Sequence, residues 1–224
     1  MKNPIKATTH DQTELPAVTR RKYDAEQTRQ NILDVATGEF SMMGLAGARV
    51  DAIAERTQAA KRMIYYYFGS KEGLYKAVLE KVYGDIRELE KQLHVEEMAP
   101  LDGLTRLVEF TFDYHDRHRH FVRLASIENI HQASYAERLP DFKSRNASVI
   151  HTIEKLLAAG VTSKVFRSDI DAIDLHWMIS SLCFHRVSNR YTFRAAFGRD
   201  MGQARVRNRQ KQMVVDTVLR FVTR

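Results

Sequence analysis

Residues 50–68, VDAIAERTQAAKRMIYYYF, contain two short helical patterns separated by three residues. In each pattern apolar residues recur at spacings of three or four: Val50, Ile53 and Ala54 in the first, Ile64 and Phe68 in the second. These spacings predict helices over about residues 49–57 and 61–68, joined by a tight turn at residues 58–60. Two short helices joined in this way are typical of a helix-turn-helix.

The segments on either side of this pair supply the rest of a small core. A first helix is expected to open at Asp24, because Gln27 completes a capping-box pattern, and Gly44 ends it as a C′ residue would. Ser70 is expected to cap a longer helix that runs to about residue 93. Because short helices bury little surface alone, both flanking helices are needed to complete the helix-turn-helix core.

The remainder of the chain is also helical in its pattern. Its apolar spacings predict helices over about residues 100–116, 119–133, 140–159, 171–188 and 203–222. Gly160 is expected to close the third of these. The expected fold class is therefore all-α, with an N-terminal three-helix helix-turn-helix domain joined to a C-terminal helical bundle.

Three segments are expected along the chain. Residues 1–23 are polar and carry two prolines, and we interpret them as a disordered basic arm. Residues 24–82 form the helix-turn-helix domain, and residues 83–224 form the C-terminal domain. Three cations of the arm either enter a minor groove of DNA or belong to a flexible tail: Arg20, Arg21 and Lys22.

The composition excludes several classes of protein. The 224 residues include one cysteine, Cys183, so an intramolecular disulfide is excluded and a reducing cytoplasm is favoured. No apolar run approaches the roughly 20 residues of a membrane span, and residues 1–18 lack the apolar region of a signal peptide. The net charge is +7, and residues 186–224 carry ten Lys/Arg against two Asp/Glu. A polyanionic partner agrees with this charge, although a solvated basic surface explains it equally.

A helical wheel of residues 61–68 separates a buried side from an exposed side. With Ile64 and Phe68 buried, Arg62, Met63 and Tyr66 point outward. Arg grips guanine bidentately, while a thioether and a phenol ring can meet a thymine methyl, so this face suits a major groove of DNA.

Five further residues are candidates for phosphate contacts, which fix register without reading sequence. They flank the outward face or stand at the starts of neighbouring helices: Lys61, Tyr65, Tyr67, Arg49 and Lys71. The alternatives are that the cations are simply solvated and that the two tyrosine rings pack with their hydroxyls at the surface.

Residues 32–80, ILDVATGEFSMMGLAGARVDAIAERTQAAKRMIYYYFGSKEGLYKAVLE, resemble the DNA-binding domain of the TetR family of bacterial transcriptional repressors. The matching residues are Phe40 to Gly44, Ile53-Ala54, Ile64 to Phe68, and Ser70-Lys71-Glu72. The resemblance implies a homodimer that binds a palindromic double-stranded DNA operator and is released by a small-molecule effector. It also places phosphate contacts at Tyr65, Tyr67 and Lys71. The sequence contains no nucleophile elbow, phosphate loop or paired-His helix motif, so we expect no enzymatic activity, cofactor or metal, and no membrane partner.

The sequence departs from the family pattern at both short helices. Ala48 and Arg49 stand where the family usually has Ser or Thr, and Gln58 stands where it usually has Gly in the turn. Ala60 replaces the usual Ser or Thr cap of the second short helix. Losing one side-chain cap costs about 1 kcal/mol. We therefore expect the ends of these helices to be less stable than is typical, with Arg49 and Arg62 as compensating contacts.

The C-terminal domain offers a weaker set of ligand-binding candidates. Glu128 and His131 share a helix face with Asn129 beside them, and form either a structural network, part of a ligand pocket or a metal site. Trp177, Phe184 and His185 suit either a cavity or a dimer interface. Glu128, Asn129 and His131, together with the segment FRSDID (residues 166–171), loosely resemble a subgroup of the TetR family that includes the pyrimidine-utilisation regulator.

The helices over 171–188 and 203–222 are expected to form the dimer face, closing a four-helix bundle across a twofold axis. The alternative is that both complete the core of their own monomer. Alternative functions are an activator, an effector-independent regulator, a metal-binding helical enzyme using Glu128 and His131, and a non-specific DNA binder using the basic tail from Arg190 to Lys211.

Overall fold

The computed structural model describes the backbone of residues 17–223 and the side chains of residues 25–223. Within them the chain is all-helical, apart from one isolated bridge between Phe166 and Thr223. The helices are α1 Ala17–Gly47, α2 Val50–Thr57, α3 Lys61–Phe68, α4 Lys71–Lys91, α5 Pro100–Arg117, α6 Arg119–Ile130, α7 Phe142–Thr162, α8 Ala172–Ser188, α9 Arg190–Phe197 and α10 Ala204–Val222. Two 3-10 turns, Val95–Glu97 and Ala136–Arg138, complete the order. No helix in this part of the chain is long and apolar enough to cross a membrane.

Helix α1 begins at Ala17, before the expected start at Asp24. Residues 17–23 follow Pro16 and contain neither Gly nor Pro, so nothing in them interrupts a helix. The backbone of residues 17–23, part of the segment interpreted as a disordered arm, is thus helical, while residues 1–16 and the side chains of Arg20, Arg21 and Lys22 lie outside the described part. Gly44, with φ of 65°, interrupts the helix at the predicted position, and residues 45–47 form one further helical turn after this kink within α1.

Helices α2 and α3 lie where the apolar spacing predicted them. Gln58 ends α2 in the left-handed conformation, with φ of 55°, at the position where the family usually has glycine. Neither Arg49 before α2 nor Ala60 before α3 makes a side-chain cap. In contrast, Ser70 Oγ accepts a hydrogen bond from the N–H of Gly73 at 3.0 Å, which confirms the predicted cap of α4.

Two apolar clusters form the interior. The first joins buried residues of α1 to α4, among them Phe40, Ile64 and Val78, to residues of the bundle such as Phe121 and Val122. The second lies within the bundle, where α5, α7, α8 and α10 pack together. Because the first cluster continues from the helix-turn-helix unit into α6, the two parts of the molecule share apolar packing.

Three residues with positive φ explain the differences at two helix ends in the bundle. Helix α6 ends at Ile130 rather than 133, because Gln132 and Ala133 adopt positive φ of 58° and 57°. Helix α7 begins at Phe142 rather than 140, because Asp141 has φ of 55°. Each of these residues takes a backbone conformation that cannot continue a right-handed helix.

Gly160 does not close α7, contrary to the prediction. It lies inside the helix, which continues to Thr162. A Cβ at this position would come within 1.9 Å of the ring of Phe166, so glycine is needed for the close approach of that buried ring.

Helix α9 was not predicted, and the basic tail around it is only partly a solvated surface. Arg190 pairs with Asp200 at 3.1 Å, and Lys211 pairs with Asp113 of α5 at 3.0 Å. Arg207 donates from Nε to Asp116 at 2.8 Å. Two cations of α10, Arg207 and Lys211, therefore pair with an acidic face of α5, while the buried valines of α10 pack into the second apolar cluster.

A group of ionisable side chains lies buried among α4, α5 and α8. Arg87 Nη1 and Glu90 Oε2 are 2.7 Å apart, and burial raises the pKa of Glu90 to about 7. Burial, assisted by the charge of Arg87, lowers the pKa values of His115 and His176 to about 4. His115 stacks on Phe121 at 5.5 Å, and its Nδ1 has no hydrogen-bond partner among the described residues.

We expect this buried histidine to make the fold sensitive to acid. A folded-state pKa below the unfolded value means that the unfolded chain binds more protons between about pH 4 and 6.5. His115 therefore contributes stability at neutral pH that is lost as pH falls through this window, about 2 kcal/mol between pH 7 and 5. Chemical denaturation at both pH values should show a shallower pH dependence for His115→Gln than for the wild type.

The exposed His131 supplies the matched control for that measurement. His131→Gln should keep the wild-type pH dependence. The titration of Glu90 changes stability in the opposite direction, because its raised pKa favours the folded state at low pH. Glu90 is present in the wild type and in each variant, so its contribution cancels in the comparison. Equal pH slopes for His115→Gln and the wild type would contradict the assignment.

The missing cap of α3 gives a second expectation. Ala60→Ser places a hydroxyl acceptor at the N-cap, beside the N–H groups of the first turn, and we expect it to stabilise the fold by about 1 kcal/mol. Urea denaturation measures the change, with Ala60→Val as a control that adds bulk without an acceptor. An equal increase in the free energy of unfolding for Ala60→Ser and Ala60→Val would show that capping does not cause the stabilisation.

Candidate functional site

The outward face of α3 is formed by Arg62 and Tyr66. Both are exposed, and Tyr66 is 78% exposed despite its size. Ile64 on the opposite side is buried in the first apolar cluster and fixes the helix against the core. Met63 is only half-buried, so it contributes less to the outward face than the helical wheel predicted. A guanidinium and a phenol thus project together from a rigidly held helix.

Tyr65 and Tyr67 occupy the margins of α3 in different ways. Tyr65 is 40% exposed, whereas Tyr67 packs against the first apolar cluster. The ring of Tyr67 also meets the ring of Tyr66 edge-to-face, with centroids 5.4 Å apart. Tyr67 therefore supports the orientation of the exposed ring beside it.

The cations around α3 are drawn together by contacts with α1 and α2. Lys61 Nζ lies 2.8 Å from Asp51 Oδ1 in an exposed ion pair. The hydrogen bond and opposite charge lower the pKa of Asp51 and raise that of Lys61. Lys71 Nζ donates to the carbonyl oxygen of Ala46 at 3.3 Å, which places it near the end of α1. Arg49 is exposed, and its backbone N–H donates to Glu39 at 3.3 Å.

We call the resulting set the recognition surface. It consists of Arg49, Lys61, Arg62, Tyr65, Tyr66 and Lys71. Sequence reasoning missed Asp51 as the partner of Lys61, although an acidic residue in the first turn of α2 was visible. It also missed Arg29 of α1, whose guanidinium lies 5.4 Å from the centroid of the Phe68 ring and braces the end of α3.

Glu128, a candidate ligand residue, is buried and hydrogen-bonded within the chain. Its Oε1 accepts from the hydroxyl of Tyr75 at 2.8 Å. Its Oε2 accepts from the backbone N–H groups of Tyr135 at 3.2 Å and Ala136 at 2.9 Å. These contacts are those expected of a structural network, and they join α4, α6 and the segment after α6.

The neighbouring candidates lie elsewhere. Asn129 Nδ2 donates to the carbonyl oxygen of Ala125 at 2.8 Å, along its own helix. His131 follows the end of α6 and is exposed, so the structure does not bring it into the buried Glu128 network. Among the described residues, no cluster of three or more His, Cys, Asp or Glu side chains is arranged to hold a metal ion.

The candidates on α8 are also dispersed. Phe184 packs against the first apolar cluster, with its ring centroid 6.0 Å from that of His115. His185 is exposed and lines a shallow depression against α9. Trp177 is 69% exposed. The six ligand candidates therefore do not line one common cavity.

Trp177 is one of several large apolar side chains that are exposed on α8 and α10. Helix α8 exposes Ile173 as well, and α10, which packs against α8, exposes Met213 and Phe221. Large apolar side chains that a monomer leaves in water mark a surface suited to protein contact.

Comparisons with known proteins agree with this geometry. A family model described as "Tetracyclin repressor-like, C-terminal domain" matches residues 100–218, and one described as "Bacterial regulatory proteins, tetR family" matches residues 32–78. The HTH-type transcriptional repressor NicS of Pseudomonas putida is 33% identical over 91% of this chain and 96% of its own. RutR of Escherichia coli is 33% identical over 42% of this chain and 44% of its own.

Solved structures share the fold. A tetR-family regulatory protein from Rhodococcus RHA1 has a TM-score of 0.69 at 18% identity, covering 88% of this chain and 97% of its own. The ketosteroid transcriptional regulator KstR2 of Mycobacterium tuberculosis has a TM-score of 0.66 at 21% identity, covering 88% and 95%. The two family models and the match to NicS show that the chain belongs to the tetR family of bacterial regulatory proteins and is a DNA-binding transcriptional regulator rather than an enzyme.

Proposed function

We propose that this protein is a ligand-responsive repressor that binds a palindromic operator as a homodimer. The observation that carries the proposal is the exposed pair Arg62 and Tyr66 on a helix held from behind by Ile64. The repressor role is supported by NicS, which is named a transcriptional repressor and matches nearly the whole chain.

In this proposal α3 enters the major groove. Arg62 reads a guanine through O6 and N7, and the ring of Tyr66 meets a thymine methyl. The other members of the recognition surface contact phosphates, joined by the hydroxyl of Tyr67. Lys61 must exchange Asp51 for a phosphate on binding, and because both side chains are exposed this exchange is inexpensive.

The homodimer in this proposal forms through α8 and α10. Burying the exposed apolar side chains of these helices against a second copy removes them from water. The twofold axis would set the two α3 helices about 34 Å apart, one turn of DNA. An effector then acts by favouring a conformation in which this spacing no longer fits.

DNA recognition is tested by fluorescence anisotropy with the promoter region of the protein's own gene and a scrambled duplex. We expect Arg62→Ala to cost about 1–3 kcal/mol on the promoter and to reduce discrimination against the scrambled duplex. Lys71→Ala should instead weaken binding to both duplexes alike. It should also lower by about 1 the slope with which the logarithm of affinity falls against the logarithm of salt concentration. Exposed Arg106, on α5, supplies the charge-matched control.

Two outcomes would contradict specific recognition through α3. One is equal affinity of the wild type for the promoter and for scrambled DNA. The other is a loss of promoter binding by Arg106→Ala as large as that by Arg62→Ala, because general charge would then explain the affinity.

The dimer face is tested by the oligomeric state of Trp177→Glu. A charge buried in an apolar interface costs several kcal/mol, so we expect the variant to dissociate at concentrations where the wild type is dimeric. Sedimentation velocity measures the change. Ile130→Glu on α6, which replaces another exposed apolar residue, is the matched control and should remain dimeric. A dimeric Trp177→Glu variant would place the interface elsewhere.

A further inference from the structure

A cavity of about 380 Å³ lies where helix α1 meets the bundle. Its volume is within the range typical of small-molecule sites. Residues of α1, α6 and α9 line it from different sides: Ser41, Met42, Arg119, Arg123, Arg190 and Tyr191. The cavity therefore contacts both the helix-turn-helix unit and the C-terminal bundle.

Two of the three cationic side chains of this cavity lack matching carboxylates. Its lining includes three arginines and no Asp or Glu. Arg190 pairs with Asp200 at 3.1 Å, but neither Arg119 nor Arg123 has a carboxylate partner among the described side chains. Arg123 instead donates to the thioether sulfur of Met42, which is a weak acceptor. Two guanidinium groups without counter-charges favour an anion in the space they share.

The rest of the lining is largely apolar. Val122 and Val187 are buried members of the first apolar cluster, and Ile127 is half-buried beside them. The ring of Tyr191 is 60% exposed. Small-molecule sites typically combine such apolar walls with a few placed polar groups. An anion with an aromatic or acyl body would match both parts of the cavity.

We propose that this cavity binds an amphipathic organic anion and that such an anion is the effector. The second half of the proposal rests on the proposed ligand-responsive function, whereas the first half does not. A ligand that touches α1 on one side and α6 and α9 on the other senses their relative position. It therefore shifts the orientation of the recognition surface whenever it binds one arrangement more tightly than another.

The test uses the full chain and two fluorescent probes. One is 8-anilinonaphthalene-1-sulfonate, an amphipathic anion; the other is N-phenyl-1-naphthylamine, its neutral counterpart. We expect the double variant Arg119→Gln/Arg123→Gln to weaken binding of the anionic probe at least tenfold and to leave the neutral probe within twofold. The matched double variant Arg106→Gln/Arg138→Gln, at exposed sites outside the cavity, should bind both probes as the wild type does.

A second variant tests the place of binding rather than its charge. Ser126 lines the cavity and is half-buried. Ser126→Phe should therefore fill the space and weaken the binding of both probes at least tenfold. Thermal melts establish that each variant is folded. Unchanged affinity for the anionic probe in Arg119→Gln/Arg123→Gln, or for both probes in Ser126→Phe, would overturn the site.

The effector role is read separately from DNA binding. Saturating anionic probe should lower the promoter affinity of the wild type at least fivefold and leave that of Arg119→Gln/Arg123→Gln within twofold of its own probe-free value. Arginine-dependent probe binding without any change in promoter affinity would refute the effector role. If the wild type does not distinguish its promoter from scrambled DNA, the proposed function fails while the anion site is still judged by the probe titrations.

Discussion

The buried hydrogen bond from the Tyr75 hydroxyl to Glu128 Oε1, 2.8 Å long, ties the helix-turn-helix unit to the bundle. Glu128 is buried, and the backbone N–H groups of Tyr135 and Ala136 also donate to its carboxyl group. Tyr75 in turn packs edge-to-face between Phe40 of α1 and Tyr135, with ring centroids 5.1 and 5.4 Å away. Loss of any donor would leave a buried carboxylate poorly paired, so the network holds one arrangement of α1, α4 and α6.

This arrangement has consequences for how a signal reaches α3. Helix α4 is continuous from Lys71 to Lys91, so its first turn belongs to the recognition surface and its last turns carry the Arg87 and Glu90 pair inside the bundle. Displacement of the bundle end of a continuous helix moves the other end as well. Since close-packed interiors deform in discrete steps, movement of α1 against α6 requires that the contacts around Glu128 rearrange together.

The parts of this molecule that depend on local spacing were predictable from sequence, and the parts that depend on distant partners were not. Helices α2 and α3 follow from apolar repeats and a three-residue turn, so their positions were recovered. Glu128 was a candidate for three roles, and its partner Tyr75 lies 53 residues away, beyond any local pattern. Gly160 resembles a helix terminator until the ring of Phe166 is placed against it. The recognition surface was nearly complete in sequence, whereas the cavity between α1, α6 and α9 appears only when three separated segments meet.

The departures from the family pattern fit a helix pair held by packing rather than by caps. Ala60 offers α3 no side-chain acceptor, and Gln58 takes a left-handed conformation that glycine adopts more easily. Ile64 of α3 is buried against the shared core, and Arg29 lies over Phe68 at the other end of the helix. An uncapped first turn also leaves backbone N–H groups without a side-chain competitor, which favours an anionic group such as a phosphate at that end. The absence of a side-chain cap at Ala60 thus keeps the N-terminus of α3 available for the DNA backbone in the proposed complex.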